Sequence, residues 1–232
     1  MNRVPPEKQT LRRMGEFFTP IAPRYDLITR ALSFGMDAGW KRRAVENAAL
    51  PPLSLVLDLA CGTGDFSELV VRKLPEARAV GVDVTPAMLQ LARSRGFGRV
   101  VCANALELPF ADQQFDSVFV GYGLRNFPSL EASLCEIRRV TRPGGVLVSL
   151  DFYLPVNPAL RKLYLASLWL QGAFWGITIH GRARQYTYIA DSLRGFVSAG
   201  ELCSLLARLG YDPVRVKRYI LGGIAVHWAT RR

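Results

Sequence analysis

The sequence predicts an α/β protein: a doubly wound, mostly parallel sheet of seven strands, preceded by a helical cap and closed by an antiparallel hairpin. Three observations carry this reading. Short apolar runs alternate with amphipathic stretches from Leu55 to Phe152. A glycine turn joins the first run to the first amphipathic stretch. Near the end, two further apolar runs are separated only by Leu221-Gly222-Gly223, which reads as a hairpin.

Each element follows in order. Residues 7 to 32 form a polar helical pattern, and "GMDAGWKRRAVENAAL" (35–50) reads as a second helix started by Asp37. Pro51-Pro52 separates this cap from the sheet. The runs "LVLDLA" (55–60), "ARAVGV" (77–82), "RVVCA" (99–103), "SVFVGY" (117–122) and "GVLVSLDF" (145–152) read as strands buried on both faces. Between them, "DFSELVVRKL", "TPAMLQLARSR" and "SLEASLCEIRRV" place apolar residues three and four apart, as helices packed on a sheet do. Thr85 before Pro86, and Ser129 before "LEAS", are helix-start signals. "YDPVRVKRYI" and "GGIAVHWAT" make the hairpin. One domain is expected over 1–232, with the cap at 1–50, the core at 55–152, a helical insertion at 153–195, and a final helix and hairpin at 196–232.

Composition narrows the class. Half of the 232 residues are apolar and no low-complexity tract interrupts them, so a sizeable core is expected. Cys61, Cys102, Cys135 and Cys203 are far apart, with no Cys/His cluster; neither a metal site nor a disulfide framework is expected, and reduced thiols in a cytoplasmic protein are. Nine charges between Met1 and Arg30 argue against a signal peptide. The net charge of +11 is uneven: residues 1–50 carry nine Lys/Arg against five Asp/Glu, 51–150 ten against ten, and 151–232 eleven against four. Basic flanks around a neutral centre suit a phosphate backbone or an acidic lipid surface, with plain solubilising charge as the alternative.

The run from Leu163 to Ile179 holds seventeen residues without a charge. Its length is at the lower limit for crossing a bilayer, and Ser167, Gln171, Gly172 and Gly176 weaken that reading. A helix buried in the core, or one bordering an apolar substrate channel or membrane surface, fits better. Lys162 before it, and His180, Arg182 and Arg184 after it, suit lipid headgroups.

"LDLACGTGDF" runs from a strand into a helix, the context in which a glycine turn binds a nucleotide-like ligand. Gly62 and Gly64 let the backbone turn tightly, and the helix start presents unpaired N–H groups. Asp83, nineteen residues after Gly64, ends the second strand, where a carboxylate can accept both hydroxyls of an adenosine ribose. The spacing Asp58-x-Ala60-x-Gly62-x-Gly64 lacks the third glycine of a dinucleotide fingerprint. It resembles the motif of class I S-adenosylmethionine-dependent methyltransferases, with Ala60 in place of their first glycine. That resemblance implies a Rossmann-like sheet and places Asp58, Gly62, Thr63, Gly64, Asp83, Val84, Asn104, Ala105 and Gly121 around S-adenosylmethionine.

Further segments resemble one branch, the quinone-biosynthesis C-methyltransferases that act on demethylmenaquinone or on 2-polyprenyl-6-methoxybenzoquinol. These are "FFTPIAPRYDLITRALSFGMDAGWKRR" (17–43), "NALELPFADQQFD" (104–116), "GYGLRNF" (121–127), "RRVTRPGG" (138–145), and "YTYIADSLRGF" through the final "GGIAVH". The resemblance implies C-methylation of a prenylated quinol at the inner face of the cell membrane, most closely demethylmenaquinol to menaquinol, with the benzoquinol of ubiquinone synthesis as the alternative. Gly121 supports the first, because ubiquinone-branch relatives usually carry Ser there. No nucleic-acid partner is expected: base-amino methyltransferases usually carry Asn/Asp-Pro-Pro-aromatic after the fourth strand, where this chain has "GLRN". A homo-oligomer is compatible with the pattern.

Methylating a ring carbon requires that a neighbouring hydroxyl lose its proton. Asp65, directly after the glycine turn, is the candidate acceptor, with an N-cap role as its alternative. Arg125, too basic to accept a proton, is the candidate to stabilise the phenolate, and Asn126 to orient the hydroxyl or a water. A salt bridge plus a loop cap is the structural alternative for that pair. Tyr25, Trp40 and Tyr188 are candidates to line the substrate site, or core; His180 and His227 read as structural.

Overall fold

The computed structural model describes residues 14–180 and 189–232. Residues 14–18 are helical, followed by a break and then α1 (Tyr25–Leu32) and α2 (Asp37–Glu46). The single helical pattern expected over 7–32 is therefore interrupted where it is described. Pro20 explains the break: it lacks an N–H and pushes Thr19 away from helical angles.

The sheet contains β1 (Leu55–Leu59), β2 (Arg78–Asp83), β3 (Val100–Cys102), β4 (Phe115–Gly121), β5 (Thr141–Phe152), β6 (Tyr211–Tyr219) and β7 (Ile224–Arg231). Its order is β3-β2-β1-β4-β5-β7-β6. The first five strands are parallel; β7 runs antiparallel between β5 and β6. β5 begins four residues earlier than the sequence suggests, with a bulge between Phe115 and Ser117 on its β4 pairing absorbing the "RPGG" segment. At the hairpin turn Ile220 and Leu221 adopt left-handed backbone angles.

Helices α3 (Asp65–Lys73), α4 (Pro86–Ser94), α5 (Leu130–Val140), α6 (Pro158–His180) and α7 (Ala199–Arg208) complete the fold. Ser129 caps α5 as expected, accepting the Ala132 N–H at 3.3 Å. Thr85 occupies the N-cap position of α4 without a side-chain cap bond; its own N–H goes to Asp83. A reciprocal Ser198–Glu201 capping box starts α7.

Strand alternation sends side chains to two apolar layers. Val118 and Val120 of β4 pack with Leu57, Leu147 and the inner faces of α5 and α7. Phe119, between them, packs on the other side with Phe66, Val70, Trp40 and Val45 from α3 and α2, and with Leu168 of α6. Trp228 Nε1 donates to the Ala44 carbonyl at 2.9 Å, tying the cap to β7. The uncharged run 163–179 lies inside α6, whose Leu163, Trp169, Leu170 and Phe174 are exposed. Among the described residues no helix is long and apolar enough to cross a membrane.

His227 is buried on β7, with Nε2 donating to the Ala199 carbonyl at 3.0 Å and Nδ1 lying 3.4 Å from the Tyr153 hydroxyl. Burial pushes its pKa down from 6.5 to about 4, against the smaller opposing pull of the Ala199 carbonyl. Between these values the unfolded chain binds a proton that the folded chain refuses, so this group destabilises the fold as pH falls. Asp58, pushed up to about 7 by burial, contributes with the opposite sign over much of the same range. The histidine effect is therefore read by difference. Between pH 7 and 4 the unfolding free energy, measured with denaturant, is expected to fall by about 3 kcal/mol more for the native chain than for its His227→Gln variant; equal pH slopes would contradict the neutral buried ring.

Candidate active site

A cleft with about 680 Å³ of empty space opens at the carboxyl ends of β1, β2 and β4, where open α/β sheets bind ligands. The β1 side supplies a turn with Ala60 at φ 55, Gly62 at φ 54 and Gly64 at φ 93. At Gly64 this angle, combined with its place as N-cap of α3, explains the glycine. Ala60 adopts the left-handed region with a side chain, at a local cost of about 1–2 kcal/mol.

Asp83 and the turn hold each other. One carboxyl oxygen accepts the Gly62 N–H at 2.9 Å and the other the Thr85 N–H at 2.8 Å. Burial pushes the Asp83 pKa up, and these N–H bonds oppose the shift. Gly62, Asp83, Val84, Asn104, Ala105 and Gly121 all wall the cleft. Asn104 Oδ1 accepts the Leu106 N–H at 3.0 Å, which fixes the loop after β3. Gly121 is demanded by packing: a Cβ there would lie 2.8 Å from Phe66 Cε2, so a larger residue requires the ring to move.

Asp58, Thr63 and Gly64 are placed behind this wall. Asp58 is buried and accepts both the backbone N–H and the hydroxyl of Ser67, at 2.9 and 2.7 Å. It braces the first turn of α3 from the neighbouring strand.

The segment after β4 walls the opposite part of the cleft through Tyr122, Gly123, Asn126, Phe127 and Pro128. Asn126 Nδ2 donates to the Tyr122 carbonyl at 3.3 Å. Arg125 is not among the wall residues. Its guanidinium pairs with Asp151 at the end of β5, with the two side chains 4% and 1% exposed, and donates to the Tyr122 carbonyl at 2.9 Å. The Phe152 ring lies 5.3 Å from the guanidinium carbon. Burial pushes the Asp151 pKa up, opposed first by the Arg125 charge and then by the Phe152 N–H. The ion pair and loop cap weighed from the sequence are thus both present at Arg125.

Asp65 opens α3 beside the glycine turn, with its side chain 34% exposed; like Arg125, it is not among the wall residues. Its Oδ2 lies 2.6 Å from Lys41 Nζ, and its Oδ1 lies 3.4 Å from the Thr63 hydroxyl. Lys41 also bonds Asp37 at 2.6 Å, and Asp37 accepts the Tyr122 hydroxyl at 2.5 Å. Burial acts against the Lys41 charge, but Asp65 and Asp37 outweigh it and raise its pKa. Asp37 and Lys41 form an i,i+4 pair, which in a sequence reads as an ordinary solvated helix pair, so their convergence on Asp65 escaped detection. Met14 and Phe18, from the N-terminal segment, also wall the cleft. Trp40 is core. Tyr25 lies on α1, and Tyr188 falls outside the described residues.

Residues 7–231 match the family described as the ubiE/COQ5 methyltransferase family. The chain is 40% identical over 219 residues to a demethylmenaquinone methyltransferase of Thermus thermophilus, covering 92% of this chain and 99% of the relative. It is 36% identical over 225 residues to a ubiquinone/menaquinone biosynthesis C-methyltransferase of Desulfotalea psychrophila, covering 93% and 89%. Among solved structures, an S-adenosylmethionine-dependent methyltransferase of Thermotoga maritima shares the fold, with a TM-score of 0.66 at 20% identity over 94% of this chain and 99% of that one.

Proposed function

The chain belongs to the ubiE/COQ5 methyltransferase family, and we propose that it methylates a ring carbon of a prenylated quinol, demethylmenaquinol in the first place. It is an S-adenosylmethionine-dependent methyltransferase. The observation that carries the proposal is a single cleft walled on one part by the glycine turn, Asp83 and Asn104, and on another by Tyr122 to Pro128. These residues fit the cofactor: the glycine turn reaches the cleft wall at Ala60 and Gly62, and Asp83 offers a carboxylate there whose oxygens each keep a further acceptor site beside the Gly62 and Thr85 N–H bonds. Asp83 would hold the ribose hydroxyls, Asn104 and Ala105 the adenine, and the turn through Thr63 and Gly64 the amino-acid end, with Asp58 bracing that turn. When bound, S-adenosylmethionine supplies an electrophilic methyl group on a sulfonium.

The chain's own residues prepare the acceptor. Asp65 takes the quinol proton, directly or through a water, leaving an electron-rich ring carbon. Asn126, on the wall, orients the hydroxyl or that water. Arg125, bound by Asp151 and the Tyr122 carbonyl, holds the turn that carries Asn126; stabilising the developing phenolate itself would require the Asp151 bond to open. Tyr25 and Tyr188 remain candidates to border the ring.

The proposal includes a site of work at the inner face of the membrane. Exposed Leu163, Trp169, Leu170 and Phe174 on α6, with exposed Arg161 and Lys162 beside them, support contact with anionic lipid, where a prenyl chain would reside.

The test supplies labelled S-adenosylmethionine with reduced demethylmenaquinone, reduced 2-polyprenyl-6-methoxybenzoquinone and bulk RNA in parallel. Demethylmenaquinol is expected to gain the label fastest. Faster labelling of the benzoquinol would move the substrate to the ubiquinone branch, and label on RNA alone would overturn the reading.

A further inference from the structure

We propose that Lys41 is a positioning residue for the methyl transfer: it holds the Asp65 carboxylate in place and links it, through Asp37, to Tyr122 on the cleft wall. The inference rests on the reading of Asp65 as proton acceptor.

A lysine is almost never fully buried unless it is paired. Lys41 is 7% exposed, and two carboxylates flank its ammonium at 2.6 Å each. The two are used differently. Asp37, 12% exposed, has both oxygens bound, one by Lys41 and the other by the Tyr122 hydroxyl at 2.5 Å. Asp65, 34% exposed, has one oxygen bound by Lys41 and the other only 3.4 Å from Thr63 Oγ1. Asp37, the more buried and held at short distance on both oxygens, anchors the lysine; Asp65 is the more exposed, and its second oxygen has only the long Thr63 contact. Four groups from α2, α3 and the end of β4 therefore form one line, Asp65–Lys41–Asp37–Tyr122. The Lys41 ammonium also lies 5.6 Å from the centre of the Tyr122 ring.

A helix staple alone would not require this asymmetry. Fixing the acceptor does, because a displacement of about 1 Å at a reacting group can cost on the order of 100-fold in rate. Lys41 touches neither substrate nor cofactor in this account, so its effect should enter through Asp65 and appear in turnover rather than in cofactor affinity.

The test is a cycle of Lys41→Met, Asp65→Asn and the double variant, in the full-length protein with reduced demethylmenaquinone as acceptor. Lys41→Met is expected to lower kcat by about 10- to 100-fold, with S-adenosylmethionine affinity changed by less than about threefold. In the Asp65→Asn background the same change should lower kcat by less than about twofold, since the group it positions is gone. An equal loss in both backgrounds would overturn the inference, as would a loss confined to cofactor affinity. Should Asp65→Asn alone retain full turnover, the reading of Asp65 fails and the inference with it. Lys41→Arg guards against a folding defect: it keeps the charge, and should recover turnover relative to Lys41→Met in the native background but not beside Asp65→Asn. No such recovery would also overturn it.

Discussion

Replacing Asp151 with alanine is expected to lower the unfolding free energy by about 3–5 kcal/mol, the usual cost of stranding one member of a buried ion pair. The partner left behind is Arg125, 4% exposed and unable to lose its charge. Arg125→Ala should cost less. It strands a carboxyl that burial already pushes toward its neutral form, so a proton can replace the missing guanidinium. Removing both charges together, as Arg125→Met with Asp151→Asn, should restore much of the stability. Asn keeps an acceptor for the Phe152 N–H, bonded at 2.8 Å, and the Tyr122 carbonyl keeps Asn126. Denaturant midpoints for the three variants check this order. Turnover of the double variant then separates structure from chemistry. A folded protein that binds cofactor but has lost turnover supports a role for the Arg125 charge, and wild-type turnover would remove Arg125 from the reaction.

Asp65→Asn should reduce kcat by about 10²- to 10⁴-fold, the range expected when a positioned proton acceptor is lost. The amide keeps the shape of the side chain and an oxygen for Lys41, so packing and cofactor affinity should change little. Single-turnover methylation at saturating S-adenosylmethionine measures the chemical step directly. Undiminished single-turnover rates would end the proposal that Asp65 accepts the proton.

Much of the fold was legible because its signals are local. Continuous apolar runs marked β1, β2, β4 and β5, and the Leu221-Gly222-Gly223 link marked the β6–β7 hairpin, whose connection in the structure also takes in Ile220. Gly62 and Asp83 meet through a hydrogen bond, since a turn between a strand and a helix brings its neighbours to the same sheet edge. Boundaries were less legible. "RPGG" joined β5 through a bulge, and Pro20 broke a pattern whose polar periodicity reads continuously. Ala60 looked like a small substitution for glycine, yet its left-handed angle appears only when the backbone is seen.

By itself the sequence determined the layered α/β architecture, the glycine turn after β1 and the kinship with the ubiE/COQ5 methyltransferase family. These depend on periodicity, on glycine's freedom and on motifs a few residues long. Tertiary structure alone decided the partners of the charged groups. Arg125 found Asp151 26 residues away, Asp65 found Lys41 24 residues away, and Asp37 met Tyr122 across 85. Charge pairing is set by distance in space and by burial, and neither is written in spacing along the chain. The fold therefore turned an isolated-looking arginine into half of a buried pair, and a surface-like lysine into the support of the candidate proton acceptor.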